Sequence, residues 1–338
     1  QNAAHAQRNG YFKSIVPVIN PQKDFVCAED ECIRAETTIE NLSSLNPSFK
    51  ELGKNGYQHF TAKMNEKVQQ DMLLQNKLKV AAARDEFENY YQPIIDTHSK
   101  KTVGFEMLMR WQSDKQFISP GVFIPIAEQI GLIVDMTIKA IERGLVDVAS
   151  WYAQGFDGYM AINLSAKQFS TRPDFEKILL LLEQHSLPSS CLRFEITEGL
   201  LVDNNDNTMD YMQEMRDLGF KISLDDYGTG YSSLRYLKDF PIDVLKIDKS
   251  FVDDINVDKG TESIIESTLI MTKMLNMDTV AEGIETSQQV EYFGKTNCRY
   301  LQGYFFSKPV PQVHCYELLQ NDWSNKFELI VGSSKITK

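Results

Sequence analysis

Histidine and cysteine are scarce in this sequence, at five each among 338 residues. The cysteines (Cys27, Cys32, Cys191, Cys298 and Cys315) are odd in number and too few for a disulfide framework at this length. Cys27 and Cys32 are separated by four residues, with no second pair and no neighbouring histidine, so free thiols are expected rather than a zinc site. The histidines (His5, His59, His98, His185 and His314) are scattered, which leaves a histidine-based triad without support. Long apolar runs are missing too. The longest, Ile178–Leu182, falls far short of the about 20 residues that a membrane span needs. No signal-peptide pattern is visible. The chain opens on Gln1 and reads as part of a longer cytoplasmic protein, with an upstream membrane anchor left open. Positive charge is also short: 35 Lys and Arg stand against 47 Asp and Glu, for a net charge of −12. Residues 1–80 carry 10 basic and 9 acidic side chains, whereas residues 81–338 carry 25 and 38. Without a basic footprint, polymeric nucleic acid is excluded as a partner. A small anionic substrate would need cations to bridge it to the acidic part.

What is present is length, apolar content (42%) and alternation. The first sixty residues read as a short strand at Ser14–Ile19, a helix near Cys32–Leu42, a turn at Gly53–Gly56 and a strand near Tyr57–Thr61. From Ala62 to Arg84, Met64, Val68 and Met72, then Leu74 and Leu78, recur at helical spacing without Gly or Pro, which predicts a long amphipathic linker helix. Strand patterns follow at Tyr90–Ile95, Val103–Trp111, Tyr159–Leu164, Leu192–Thr197, Lys221–Asp225, Val244–Ile247, Thr279–Gly283 and Leu301–Phe305. Helical patterns separate most of them, at Pro125–Ile130, Thr137–Gln154, Asp174–His185, Thr208–Leu218, Glu262–Leu275 and Gln288–Thr296. Eight strands alternating with helices fit a (β/α)8 barrel. The link Asp96–Thr102 is too short for a parallel crossover, so the first two strands are expected to pair as a hairpin. The expected fold is α/β: a variant TIM-type (β/α)8 barrel with one antiparallel strand, preceded by a small α+β segment and a linker helix. The expected boundaries are 1–61, 62–84 and 85–338.

In such a barrel, chemistry collects at the C-terminal ends of the strands. There the sequence places Glu106 and Arg110, Asn163 and Ser165, Glu195 leading to Glu198, Asp225 and Asp226, Lys246 and Asp248, and Glu282 leading to Glu285; the last strand is expected to begin with Gln302. Taken singly, each acid reads as a solvated or capping residue. Together, five or six carboxylates on one barrel mouth repel one another unless cations neutralise them. Oxygen donors suit Mg²⁺ or Mn²⁺, and paired acids such as Asp225 and Asp226 can bridge two ions. Two-metal sites typically cleave phosphodiesters.

The segments YYQPIID, GFEMLMRW, FIPIAEQIGLI, AINLS, FEITEGLL, ISLDDYGTGYSSLRYLKDFPIDVLKIDKSFV, VAEGIET and LQGYFFSKP occur in this order. Over about residues 85–310 the chain thereby resembles the EAL-domain cyclic di-GMP phosphodiesterases. The resemblance implies hydrolysis of cyclic di-GMP to linear pGpG with two Mg²⁺ or Mn²⁺ ions. It implies metal binding by Glu106, Asn163, Glu195, Asp225 and Asp226. Glu282 is implied as a further ligand or general base, and Lys246 as a contact to the attacking water and the phosphate. Gln302 is implied to orient the substrate, Arg110 to grip a phosphate and Gln92 to face a guanine. Glu198, expected in the catalytic group, and Glu285 are implied to support the loop Asp226–Ser233, which contains Tyr227, Gly228, Thr229 and Gly230. That loop is associated with dimerisation, so a homodimer through the barrel is expected. Two departures stand out: Met107 where the family usually has Ala, and Tyr227 where Phe is common. Neither removes a catalytic atom.

Residues 49–93 also resemble the closing strand and linker helix that join a GGDEF domain to an EAL domain, which makes residues 1–61 the tail of a GGDEF-like domain and implies an upstream GGDEF or sensory partner. No diguanylate cyclase signature is present. Two other readings compete with an active enzyme: a catalytically silent receptor that binds cyclic di-GMP and signals through the linker helix, and a protein-interaction scaffold that ignores the nucleotide.

Overall fold

The computed structural model describes residues 62–113, 116–170, 174–202, 206–228 and 234–327, and four short strands before them. Those strands form two antiparallel pairs, Ile19–Asn20 with Phe25–Val26 and Ser48–Lys50 with Tyr57–His59. The last of them falls inside the expected strand Tyr57–Thr61. The expected helix at Cys32–Leu42, the turn at Gly53–Gly56 and most of the strand Ser14–Ile19 lie outside the described residues. The chain divides into two compact units, 1–76 and 77–338. The boundary falls inside one continuous helix, α1 (Ala62–Arg84), which matches the predicted linker helix.

The second unit is a closed barrel. In chain order its elements are β1 (Phe87–Asp96), β2 (Thr102–Ser113), the short β3 (Gln116–Ile118), α2 (Pro120–Gln129), α3 (Ile133–Tyr152), β4 (Tyr159–Asn163), α4 (Phe175–Gln184), β5 (Leu192–Thr197), α5 (Asp206–Asp217), β6 (Lys221–Tyr227), β7 (Val244–Ile247), α6 (Lys259–Met274), β8 (Asp278–Ala281), α7 (Ser287–Gly294) and β9 (Tyr300–Leu301). Strands β2, β4, β5, β6, β7, β8 and β9 run parallel in this order. β1 closes the ring between β9 and β2 and is antiparallel to both. The short link after β1 forces this, because Asp96–Thr102 can turn a hairpin but cannot cross over a sheet.

Alternation along the strands sorts the side chains. On β4, Met160 and Ile162 join the core between sheet and helices, which leaves Tyr159, Ala161 and Asn163 to the barrel interior. On β5, Phe194 and Ile196 face the helices, and Arg193 and Glu195 face inward. α3 presents Ile133, Met136, Ala140, Ile141, Leu145, Val148 and Trp151 at three- and four-residue spacing, a single stripe buried against the sheet. Trp151 meets Tyr91 and Phe105 edge-on or tilted, with ring centroids 5.0 and 4.9 Å apart. Asp174 caps α4 by accepting from the Lys177 N–H at 3.0 Å, and Thr286 and Gln289 form a reciprocal capping box on α7.

The last strand corrects the expectation. It ends at Leu301, so Gln302 follows it instead of beginning it. Gln302 N–H donates to Ala281 O, Ile284 N–H to Gln302 O and Phe305 N–H to Ile284 O, at 2.9, 3.0 and 2.8 Å. The segment thus bonds to the loop after β8. Beyond it, Phe306 packs on Trp323 and Phe327.

Candidate active site

One fully buried lysine organises the barrel mouth. Lys246, on β7, places Nζ 2.6 Å from Glu195 Oε2, 2.6 Å from Glu282 Oε1, 3.3 Å from Asp225 Oδ1 and 4.0 Å from Glu106 Oε2. A buried ammonium is costly unless it is paired, and here three strands and the loop after β8 each supply a carboxylate. Burial alone would push its proton affinity down; the four carboxylates overcome this and hold it well above the ordinary lysine value. One cation cannot balance four anions. Burial, together with the neighbouring acids, therefore pushes Glu195 well above the carboxylate range and Glu282 up to about 8. Burial and the neighbouring Asp225 and Asp248 likewise push Asp226 up.

Glu106 is fixed by amides. Asn163 Nδ2 donates to its Oε1 at 2.7 Å, and Gln302 Nε2 to its Oε2 at 2.5 Å. Gln302 Nε2 also reaches Gln92 Oε1 at 3.3 Å, while Gln92 Nε2 donates to Ser307 O at 3.2 Å. Gln92 and Glu106 are direct partners in the β1–β2 ladder, which explains their convergence.

Asp225 and Asp226 are neighbours, and in a regular strand they would face opposite sides. The β6–β7 register breaks between Leu224 and Tyr227, and Asp226 adopts φ +56°. This bulge turns both carboxylates to one place. Oxygens of Asp225, Asp226 and Glu282 lie within 4.8 Å of one another. Opposite ligands of a six-coordinate Mg²⁺ or Mn²⁺ stand about 4.2 Å apart, so this all-oxygen group lies close to the spread such an ion spans and would draw in slightly around it. Asn163 can add its amide oxygen by a flip of the side chain.

The other expected residues fall around this centre. Glu198 Oε2 accepts from the Gly228 N–H at 3.3 Å, next to Tyr227. Thr229 and Gly230 lie outside the described residues. Glu285 is brought to Lys249, at 2.8 Å. Arg110 is half-buried; its Nη1 donates to Met109 O, and its guanidinium stands 5.6 Å from the Tyr90 ring centre. A cavity of about 270 Å³ opens beside Arg110 and Asn163, walled by Leu108, Ile124 and Leu164. Met107 points away from the site: its Sδ lies 3.2 Å from where a Cβ on Gly144 of α3 would stand. The missing side chain at Gly144 makes room for the larger residue. Sequence reasoning missed Lys249 and Phe251, although both lie in a quoted segment; neither stands at a strand end, where chemistry was sought.

A family model described as the EAL domain matches residues 75–309. A second model, for the N-terminal domain of thiolases, matches residues 1–56, which lie almost wholly outside the described residues. The signaling protein YkoW of Bacillus subtilis is 37% identical over 263 residues, 78% of this chain and 33% of its own length. The bifunctional diguanylate cyclase/cyclic di-GMP phosphodiesterase MucR of Pseudomonas aeruginosa is 34% identical over 264 residues, 78% of this chain and 38% of its own length. The chain thus spans little more than a third of these relatives. Among solved structures, the PaMucR phosphodiesterase in complex with c-di-GMP superimposes with a TM-score of 0.67 at 34% identity, covering 72% of this chain and 99% of that one.

Proposed function

Because the chain belongs to the EAL-domain family, we propose that it is a phosphodiesterase that hydrolyses cyclic di-GMP to linear pGpG. The observation that carries this reading is the barrel mouth itself, with Lys246 ringed by four carboxylates and the oxygens of Asp225, Asp226 and Glu282 within 4.8 Å. With every acid ionised, Glu106, Glu195, Asp225, Asp226 and Glu282 less the Lys246 ammonium leave four negative charges, the complement of two divalent cations. Two Mg²⁺ or Mn²⁺ ions, held by these acids and Asn163, would make a water more acidic and offset charge on the phosphoryl oxygens.

The chain's own residues do the rest. Glu282, beside Lys246 and the Asp225–Asp226 oxygens, is placed to take the proton of the attacking water. The water oxygen bonds to one phosphorus, the bond from that phosphorus to the ribose 3′ oxygen breaks, and one water is consumed per pGpG. Lys246, whose ammonium stays charged, hydrogen-bonds the water and the phosphate. Arg110 grips a phosphate through charge-assisted hydrogen bonds. Gln92 faces a guanine, and Gln302 holds Glu106 in place. Glu198 supports the turn after Asp226 through the Gly228 N–H.

The same reading makes α1 the connection to an upstream GGDEF or sensory domain, in a cytoplasmic protein that forms a homodimer through the barrel. Among the described residues, no helix is long and apolar enough to cross a membrane. Exposed Ile264, Ile270 and Met274 on α6 favour the dimer.

Anion-exchange chromatography of cyclic di-GMP incubated with the purified chain tests the activity. Mn²⁺ should yield pGpG, EDTA should stop it, and Ca²⁺ should bind without supporting turnover. Intact cyclic di-GMP with Mn²⁺ present contradicts the reading, and tight binding without turnover favours a silent receptor.

A further inference from the structure

The three oxygens that could hold one ion come from two separate segments: Asp225 and Asp226 from the bulged end of β6, and Glu282 from the loop after β8. A five-residue helix after β7, Lys249–Asp253, touches both. On one side Gly228 has φ +98°, and a Cβ there would come within 2.5 Å of the Phe251 ring. On the other side Gly283 has φ +67°, and a Cβ there would come within 2.3 Å of Lys249 Cγ. Each loop therefore passes against this helix at a left-handed residue with no room for a side chain.

The contacts to the Glu282 loop are multiple. The Lys249 stem covers Gly283, and Lys249 Nζ reaches Glu285 at 2.8 Å and Asp253 at 3.0 Å. From the same helix, Val252 O accepts from Gln289 Nε2 at 3.1 Å. Gln289 Oε1 in turn accepts from the N–H groups of Glu285 and Thr286, at 2.8 and 2.9 Å. The helix is itself anchored by Asp248, which accepts from the Ser250 N–H at 3.0 Å.

We propose that helix Lys249–Asp253 is a strut that sets the separation between the Asp225–Asp226 turn and Glu282, with Lys249 and Phe251 as positioning residues for the divalent ion held between them. The inference rests on the metal-dependent reading of the site but not on the identity of the substrate. An isolated surface ion pair such as Lys249–Glu285 contributes little by itself, so a merely structural Lys249 would be nearly silent. A strut is not silent: partners that orient metal ligands typically change metal affinity 10- to 100-fold when removed.

Calorimetric titration with Mn²⁺ alone, without nucleotide, is the test. Lys249→Ala and Phe251→Ala should each bind Mn²⁺ roughly tenfold more weakly than the wild type. Lys249→Arg keeps the stem and the charge, and Phe251→Leu keeps an apolar contact; both should bind close to normally. Amide hydrogen exchange of the metal-free proteins guards against misfolding: Lys249→Ala should speed exchange at 282–285 and leave β4 unchanged. If Lys249→Ala binds Mn²⁺ like the wild type, or if exchange rises throughout the barrel, the strut is wrong. A wild type that takes up no Mn²⁺ overturns the strut together with the metal reading. A wild type that binds Mn²⁺ but leaves cyclic di-GMP intact, with Lys249→Ala weakened, overturns only the phosphodiesterase.

Discussion

Two cations are buried inside this barrel among the described residues, and they are treated in opposite ways. Lys246, near the C-terminal ends of the strands, has four carboxylates within 4.0 Å. Arg193 lies one inward position below Glu195 and is also buried, but it lies 3.6 Å over the ring centre of Tyr159, and its Nε and Nη1 have no hydrogen-bond partner. The floor therefore uses its cation as a flat packing element, stacked on an aromatic face. The mouth uses its cation as partial neutralisation of a deliberate excess of negative charge. Two residues along one strand thus separate a layer that holds the barrel together from a layer that holds repulsion in readiness for divalent ions. Barrels commonly divide in this way, with stability at one end of the strands and chemistry at the other.

The largest expected effect that would break this comparison comes from Lys246→Met. Turnover of cyclic di-GMP should fall by roughly a thousandfold as the charge facing the phosphate is lost. The metal-free protein should lose about 3–5 kcal/mol, because buried carboxylates are left unpaired. Denaturant unfolding with and without Mn²⁺ should show the ion restoring much of that loss. Retained turnover would mean that the mouth does not work as described.

The next effect is a pH dependence. Glu282 binds its proton up to about pH 8 in the folded, metal-free protein, whereas an unfolded glutamate releases it near pH 4.3. Between these values the folded state holds more protons than the unfolded state. Its Glu282 contribution to stability therefore falls as pH rises through this window. Mn²⁺ must displace that proton. Its affinity, measured by titration, should rise from pH 6 to 8, by up to about tenfold per unit for each proton released, Glu282 supplying one of them. A pH-independent affinity would remove the excess charge from the account.

Arg193→Met sharpens the comparison from the other side. It should change stability by about 1–2 kcal/mol through lost stacking, while Mn²⁺ affinity stays within a few-fold. Loss of Mn²⁺ binding would show that floor and mouth are not separate layers. The smallest effect is expected of Tyr227→Phe, which restores the common family residue at a half-buried position. Stability should move by no more than about 0.5 kcal/mol, with turnover unchanged.

Much of this arrangement was legible before any coordinates, and for a physical reason. Parallel strands separated by helices announce themselves by alternating patterns, and the seven-residue link Asp96–Thr102 permitted only a hairpin. Polar residues on or just after those strands, taken together, then pointed to Glu106, Asn163, Glu195, Lys246 and Glu282, and the resemblance to the EAL domains implied their separate roles. What stayed hidden depends on backbone geometry that side-chain patterns do not encode. The register break and positive φ that swing Asp225 and Asp226 to one side are of this kind. So is the approach of Gly228 and Gly283 to the helix after β7. The run Leu301–Phe305 read as a strand because hydrophobicity cannot tell a ladder from a turn, here one that leads into Phe306 packed on Trp323 and Phe327. Arg193 was passed over because a single charge in an apolar strand carries no signal of the ring beneath it.

The central claim is that the mouth directs a water onto phosphorus. Hydrolysis of cyclic di-GMP in ¹⁸O-water with Mn²⁺, followed by mass spectrometry of the product, tests it most directly. The account predicts linear pGpG with one ¹⁸O atom, carried on its terminal 5′ phosphate. Unlabelled pGpG, label at a ribose carbon, or unchanged cyclic di-GMP from Mn²⁺-loaded protein would contradict it.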